Sequence, residues 1–303
     1  MSRVMVVGAG VVGLSCAVRL LEAGHRVDVV ARDLPLETTS AVAAAIWYPY
    51  RALPQDRVTA WSTRTYAAFA SMAASEPDAG VRLVPGTEVL RAPRADPWWV
   101  SAVAGLAPAD DLPAGYGAGW SFVTPVVEMP VYLGWLVERL DGLGGTLTRL
   151  NLRALPHGAD VVVNCSGLGA RLLGGDQTVL PVAGQVVRVA QFGLERWWLD
   201  SAGPTYVVPR EHDIVVGGTD VEGEWSRTPS PDTAEAILQR AALLVPELRH
   251  AEVLQHKVGL RPARPTVRLE KVGRTIHCYG HGGAGVTLSW GCADEVSELV
   301  GSP

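Results

Sequence analysis

The sequence predicts an α/β fold in which a Rossmann-like nucleotide-binding domain is interleaved with an antiparallel-sheet domain, and three observations carry that reading. The chain opens on an apolar run of strand length, Val4 to Val7, that breaks into glycines at 8, 10 and 13 and then turns helical. A second apolar run, Val161-Val-Val-Asn-Cys-Ser-Gly, and a third, Thr275 to Tyr279 before Gly280-His-Gly-Gly-Ala-Gly, repeat the passage from strand to glycine turn. Between them, Gln185 to Ala190, Tyr206 to Pro209 and Asp213 to Gly218 read as strands with connections too short for a parallel crossover, which makes them antiparallel.

Each element has a local reason. Gly8 permits a tight turn, Gly10 lets the backbone approach a pyrophosphate, and Gly13 allows the new helix to pack close to its strand. That helix, Val11 to Leu21, closes at Gly24, and its first residues, Val11 and Val12, offer unpaired N–H groups to an anion. Val27 to Ala31 is the second strand of the βαβ unit. Arg32 at its end suits a 2′-phosphate, whereas Asp33 suits a free ribose, so this turn alone leaves the nucleotide open. Thr38, Thr39 and Ser40 supply hydroxyls for phosphate oxygens or for solvent. Ala43-Ala44-Ala45-Ile46-Trp47-Tyr-Pro-Tyr places small residues beside aromatics, as a flat ring lying on backbone requires.

Thr59 to Ala74 has helical composition, Val81 to Leu90 alternates as a strand, and residues 92–116 are rich in Pro, Ala and Gly. Pro130 to Leu143 reads as a helix, as does Pro231 to Leu244, where Pro and Asp232 suit the first turn. The last helix carries Val286, Trp290, Ala293 and Val296 on one face. The alternation gives discontinuous domains: 1–57, 120–190 and 265–303 for the nucleotide, 58–119 and 191–264 for the substrate.

With 303 residues, 48% hydrophobic and 19% charged, the composition is globular and excludes a disordered chain. A formal charge of −5 without a Lys/Arg cluster excludes a polyanion-binding surface, so no nucleic-acid partner is expected. Met1-Ser-Arg runs directly into a strand without a secretory signal pattern, and no apolar run reaches membrane-spanning length. Cys16, Cys165, Cys278 and Cys292 are scattered, without the paired spacing of a zinc site or a disulfide framework. The expectation is four buried, reduced thiols, no metal, no membrane, and a cytoplasmic location.

Three segments together closely resemble the FAD-dependent D-amino-acid oxidases: the glycine turn with Ala31-Arg-Asp and Trp47-Tyr-Pro-Tyr, Gly259-Leu-Arg-Pro-Ala-Arg-Pro-Thr-Val-Arg-Leu-Glu, and His277-Cys-Tyr-Gly-His-Gly-Gly-Ala-Gly-Val-Thr-Leu-Ser-Trp-Gly-Cys-Ala. The likeness covers nearly the whole length. It implies a Rossmann-like FAD-binding domain, a D-amino acid and molecular oxygen as partners, and oxidative deamination to a 2-oxo acid, ammonia and hydrogen peroxide. It also resolves Arg32, because some members carry Ala-Arg-Asp at this turn and bind FAD. The implied cofactor residues are those of the first turn and of 32–47 already named, then Leu152, Ser166 and Gly167, and the loop Gly282, Gly283, Ala284, Gly285, Val286 and Thr287. A separate argument favours a flavin: the N-terminus of the last helix stabilises the negative charge of a reduced flavin, and a nicotinamide has no such requirement.

By the same resemblance Arg261 binds the substrate carboxylate, Tyr206 adds a hydroxyl, and the Gly283 carbonyl accepts from the substrate amine. His281 shapes the flavin site without acting as a base, since hydride passes from the substrate Cα to flavin N5. Arg264 and Arg268 read as structural ion-pair residues. The sequence departs from the family pattern at Ala202 and Asp220, where relatives carry pocket tyrosines, so carboxylate binding rests more on Arg261. Ile46, Tyr48, Leu199 and Val208 form the implied side-chain wall, whose apolar character favours neutral D-amino acids over D-aspartate. Oxidation of D-aspartate or glycine is the alternative, and a regulator without turnover a more distant one. The sequence does not fix the oligomeric state, and the resemblance allows a homodimer because homodimers are common in the family. Gly301-Ser-Pro is not a peroxisomal address.

Overall fold

The computed structural model describes residues 1–301; Ser302 and Pro303, which end the expected non-peroxisomal terminus, lie outside the described residues. In chain order the elements are β1 (Arg3–Val7), α1 (Val11–Glu22), β2 (Arg26–Ala31), α2 (Gln55–Ser75), β3 (Val81–Leu90), β4 (Ala107–Pro108), β5 (Ala118–Val127), α3 (Met129–Gly142), β6 (Thr146–Arg149) and β7 (Val161–Asn164). There follow α4 (Ala170–Leu173), β8 (Leu180–Ala190), β9 (Trp197–Asp200), β10 (Thr205–Pro209), β11 (Asp213–Gly217), β12 (Val221–Glu222), α5 (Pro231–Ala241), β13 (Val253–Val272), β14 (Thr275–His281) and α6 (Gly285–Gly301).

All the strands hydrogen-bond into one sheet, in the order β4-β5-β3-β9-β10-β11-β8-β13-β14-β7-β1-β2-β6, with β12 on β8. From β14 to β6 the neighbours are parallel, as the glycine-turn strands predict. From β14 back to β4 they are antiparallel, except that β3 and β9 run parallel. β13 joins the two halves by pairing with β8 as far as Ala263 and with β14 at Ala263 and again from Arg268 to Val272.

The first turn obeys the glycine argument. Gly8 sits at φ +116°, a region side chains rarely adopt, and a Cβ on Gly13 would lie 2.0 Å from the Gly8 carbonyl oxygen. α1 and α6 pack together on the parallel half, with Leu14, Leu20, Leu288 and Trp290 fully enclosed. α2 crosses α6 so closely that a Cβ on Gly291 would meet the Trp61 carbonyl at 2.2 Å, and the Trp61 indole donates to Glu295 at 2.7 Å. Burying a side chain of Leu size contributes about 1.5–3 kcal/mol, so this helix layer holds the parallel strands in register.

Sequence patterning assigned no element to 118–127, 146–149, 197–200 or 253–272. The structure makes all four strands. In β13, Pro262 lies opposite Pro181, and Pro265 falls within a register shift between Ala263 and Arg268, where the ladder needs no donor. The cysteines are scattered only in sequence: all four are free thiols, and the fold draws them together beneath the first glycine turn.

Candidate active site

One cavity of about 770 Å³ runs from the C-terminal ends of the parallel strands to the face of the antiparallel ones. Its first end is built by the β1–α1 turn, with Gly8, Gly10, Val11, Val12 and Gly13 on the wall and Arg32 and Asp33 at the rim. α1 has no acidic residue in its first turn, so the positive end of its dipole is left for a ligand anion. Arg32 is tied to Asp33 by bonds of 3.0 and 2.6 Å, and that pairing draws the Asp33 carboxyl below its usual pKa.

The three hydroxyls expected to meet phosphate all reach the wall but are already engaged. Thr38 Oγ1 donates to the Pro35 carbonyl at 2.6 Å and Thr39 Oγ1 to the Leu260 carbonyl at 2.8 Å, while Ser40 Oγ accepts from the Val11 N–H at 3.0 Å. Ser40 therefore fixes the α1 N-terminus to the loop after β2. Ala44, Ala45, Ile46, Leu152, Ser166 and Gly167 continue the wall.

On the opposite side, β14 delivers His281, Gly282 and Gly283 to the cavity, and α6 begins at Gly285 with Val286 on the wall and no acidic residue in its first turn. Two helix N-termini thus face one cavity. A chain of phosphates and a ring system that gains negative charge fit this lining, whose two carboxylates, Asp33 and Glu37, are each paired with an arginine, Arg32 and Arg149.

The far end carries the substrate candidates. Arg261 projects from β13 with its guanidinium against Gly184, where a Cβ would lie 2.4 Å from Cζ. Its Nη1 donates to the Thr219 carbonyl at 2.8 Å, and among the described residues no carboxylate pairs with it. The Tyr206 ring lies flat on Gly217, where a Cβ would meet it at 1.9 Å, and its hydroxyl has no hydrogen-bond partner among the described residues. Gly283 lies between Tyr50 and Arg261, 2.9 Å from the Tyr50 ring and 3.5 Å from Arg261 Cδ as measured from its would-be Cβ.

Tyr50 was missed by the residue-level reading, although it closes the Trp-Tyr-Pro-Tyr motif. Its hydroxyl donates to Asp220 at 3.2 Å, and Arg51 pairs with the same carboxylate at 2.9 Å. Burial first, then the neighbouring Asp220 charge, raises the Tyr50 pKa, so the phenol keeps its proton. The position that lacks the family's second tyrosine therefore anchors a phenol supplied by another segment.

Ile46, Tyr48 and Leu199 line this end, joined by Ser201, which the sequence did not suggest. Behind them Glu88 is completely buried, opposite Leu199 in the β3–β9 register. It accepts from Ser201 Oγ at 2.6 Å and from Arg94. Burial, reinforced by the Glu88 charge, pushes the Tyr48 phenol well above its ordinary pKa.

Four expected residues are not on the wall. Trp47 is fully buried, donating through Nε1 to the Ser62 carbonyl at 2.9 Å and packing edge-on against Trp99 and Tyr66. Strand alternation gives Val208 the same face as Tyr206, but it is enclosed in the core beyond the pocket. Ala284 is covered by the packing of the α6 start, and the Thr287 hydroxyl is bound to the Tyr48 backbone, accepting at 3.1 Å and donating at 3.0 Å. Thr287 thus positions Tyr48.

The model of the FAD dependent oxidoreductase family matches residues 3–299. A D-amino-acid oxidase of Rubrobacter xylanophilus is 54% identical over 316 residues, covering 99% of this chain and 96% of that protein. The human D-aspartate oxidase is 38% identical over 323 residues, covering 99% and 94%. The crystal structure of glycine oxidase from Geobacillus kaustophilus superposes with a TM-score of 0.84 at 20% identity, over 99% of this chain and 95% of the other, and is similar in fold.

Proposed function

The chain belongs to the FAD-dependent oxidoreductase family, and from that premise we propose that it is a D-amino-acid oxidase acting on neutral and apolar substrates. The observation that carries the reading is Arg261, a guanidinium without a carboxylate partner at the end of a cavity entered by two helix N-termini. Bound FAD supplies the two-electron acceptor, whose reoxidation by oxygen yields hydrogen peroxide. The residues that would hold it are the β1–α1 turn with Arg32 and Asp33, the 38–46 loop, Leu152, Ser166, Gly167, and the 282–286 loop.

The chain's own groups bind and orient. Arg261 takes the substrate carboxylate bidentately, and Tyr206, whose hydroxyl has no other bond among the described residues, donates a further one. The Gly283 carbonyl accepts from the substrate amine, which must be neutral as the Cα–H bond breaks. No side-chain base is required, so the site works through position. Ile46, Tyr48 and Leu199 exclude water from the side-chain pocket.

Glu88 favours neutral substrates over D-aspartate, the reading that the human relative would otherwise support. A substrate carboxylate directed at Leu199 approaches a buried anion, and Arg94, the nearest cation, is already paired with it. The domain bounds 1–57, 120–190 and 265–303 around FAD, with 58–119 and 191–264 around the substrate, are part of the proposal, and the passage of β13 from β8 to β14 around Ala263 supports the last of them. Among the described residues no helix is long and apolar enough to cross a membrane. We propose a cytoplasmic location, and a homodimer only as far as the family resemblance allows one.

The test is a purified yellow protein whose flavin bleaches anaerobically with D-alanine and not with L-alanine. Oxygen uptake across D-alanine, D-valine, D-methionine, D-phenylalanine and D-aspartate then ranks substrates. A flavin that no D-amino acid reduces refutes the function, and a kcat/KM highest for D-aspartate refutes the substrate class.

A further inference from the structure

Beneath the β1–α1 turn lies a group of nucleophiles that substrate oxidation does not use. The sulfur atoms of Cys16 on α1, Cys165 after β7 and Cys278 on β14 lie within 4.8 Å of one another. Cys278 belongs also to a second group of the same compactness, with Cys292 on α6 and His281. The His281 Nε2 is 3.9 Å from the Cys278 sulfur and 3.5 Å from that of Cys292. Cys165 is the least buried of the four, and both it and Cys278 contribute to the wall of the cofactor cavity.

We infer that Cys278 and Cys165 are a peroxide-reactive dithiol, oxidised to a disulfide through the cofactor cavity and shielded when FAD fills it. The backbone admits the bond. His277 pairs with Asn164 in the parallel β14–β7 register, so the next step sets Cys278 beside Cys165 on the same face. Neighbouring strands lie about 4.8 Å apart, inside the roughly 4.4–6.8 Å Cα range of disulfides. An in-register pair is wider at Cβ than a relaxed disulfide, which makes the bond readily reducible.

Cys278, with thiols and an imidazole around it, is the better nucleophile, and this environment lowers its pKa. Its thiolate attacks one peroxide oxygen; the O–O bond breaks, and the departing hydroxide takes a proton to become water. The sulfenic acid left on Cys278 is attacked by the Cys165 sulfur, forming the S–S bond and releasing a second water. Two thiols lose two electrons, and one peroxide becomes two waters.

The consequence reaches the cofactor, because a Cβ on Gly8 would lie 2.4 Å from the Cys165 carbonyl oxygen. A shift of Cys165 therefore presses on the turn that holds the pyrophosphate. The source of peroxide rests on the proposed oxidase activity, so the test uses reagent peroxide and is independent of turnover. Holoenzyme is treated with hydrogen peroxide with and without excess FAD, alkylated in denaturant, and mapped by mass spectrometry without reduction.

The expected result is loss of two of the four thiols, recovery with dithiothreitol, a peptide linking the 165 and 278 segments, release of FAD fluorescence, and a rate severalfold lower with excess FAD. In Cys165→Ser the linked peptide disappears and dimedone labels Cys278. Four intact thiols at a peroxide dose that oxidises exposed Met1, a linkage that omits Cys278, or a rate indifferent to FAD overturns the inference. Oxygen uptake with D-alanine on the same preparation reports separately on the oxidase reading.

Discussion

Replacing Arg261 with Met removes the charge while keeping much of the alkyl stem, and the structure sets the size of the effect. Among the described residues the guanidinium makes one bond, to the Thr219 carbonyl, so most of its donors are left for a substrate. Losing a hydrogen-bonded charge partner from a partly buried carboxylate costs about 2–5 kcal/mol, a fall in kcat/KM of roughly 30- to 5,000-fold. FAD should remain bound, because the loss falls at the substrate end of the cavity. Stopped-flow bleaching of the flavin by D-alanine under anaerobic conditions measures the fall directly.

Two companions separate charge from packing. Gly184→Ala places a Cβ 2.4 Å from Cζ and both terminal nitrogens of Arg261, and should lower kcat/KM in the same direction without altering any charge. Arg264→Met breaks the 2.9 Å pair with Asp176 and should lower the Tm with kcat/KM retained. A kcat/KM for Arg261→Met within about threefold of the parent would refute the assignment, since no bound carboxylate tolerates that loss so lightly.

Tyr206→Phe removes one hydrogen bond to a carboxylate that Arg261 still holds, so KM should rise by an amount worth about 0.5–3 kcal/mol, and an unchanged KM with a collapsed limiting rate of flavin reduction would instead place the hydroxyl in the chemical step. Gly13→Ala drives a Cβ to 2.0 Å from the Gly8 carbonyl, and the variant should purify colourless; a full complement of FAD by absorbance would contradict the turn geometry. At Asp213 burial acts to raise the pKa, but the Arg210 and Arg188 guanidiniums outweigh it and hold the carboxyl below its ordinary value. Stability from this depressed group is fully present above the ordinary carboxylate pKa of about 4 and is lost as pH falls toward the folded value. Asp213→Asn should therefore lose about 3–5 kcal/mol near neutrality and show a flatter Tm against pH below about 4, and parallel Tm curves for the two proteins would rule the pair out as the cause.

The parallel half of the fold was legible because its signals are local. Gly8 and Gly13 are demanded by backbone within a few residues, and a strand breaking into a glycine turn looks the same wherever it occurs. The strands at 118–127 and 197–200 were not legible, since each is stabilised by partners distant in sequence. Trp197 packs its ring where a Cβ on Gly86 would stand, at 2.1 Å, and donates to the Val84 carbonyl, a partner that no window around residue 197 contains. Residues 253–272 form one long strand although Pro262 and Pro265 lie within it, and the register shift between Ala263 and Arg268 is what accommodates Pro265.

The same division runs through the site. Arg261 could be singled out because its motif is specific, whereas the side chains of Trp47 and Thr287 turn away from the cavity, because a motif gives proximity along the chain and not the side to which a side chain turns. Trp47 points into the core because its indole N–H finds the Ser62 carbonyl there, and Thr287 turns back because the Tyr48 backbone offers both an acceptor and a donor. Tyr50 and Asp220 pair across 170 residues of chain, and Glu88 is set behind the pocket wall by its register with Leu199. These three set the shape and charge of the substrate end, and each depends on the antiparallel strands closing over the cofactor half. On the proposed reading, what the chain does is written near its glycine turns and at Arg261, while the choice of substrate falls to side chains whose meeting only the folded sheet brings about.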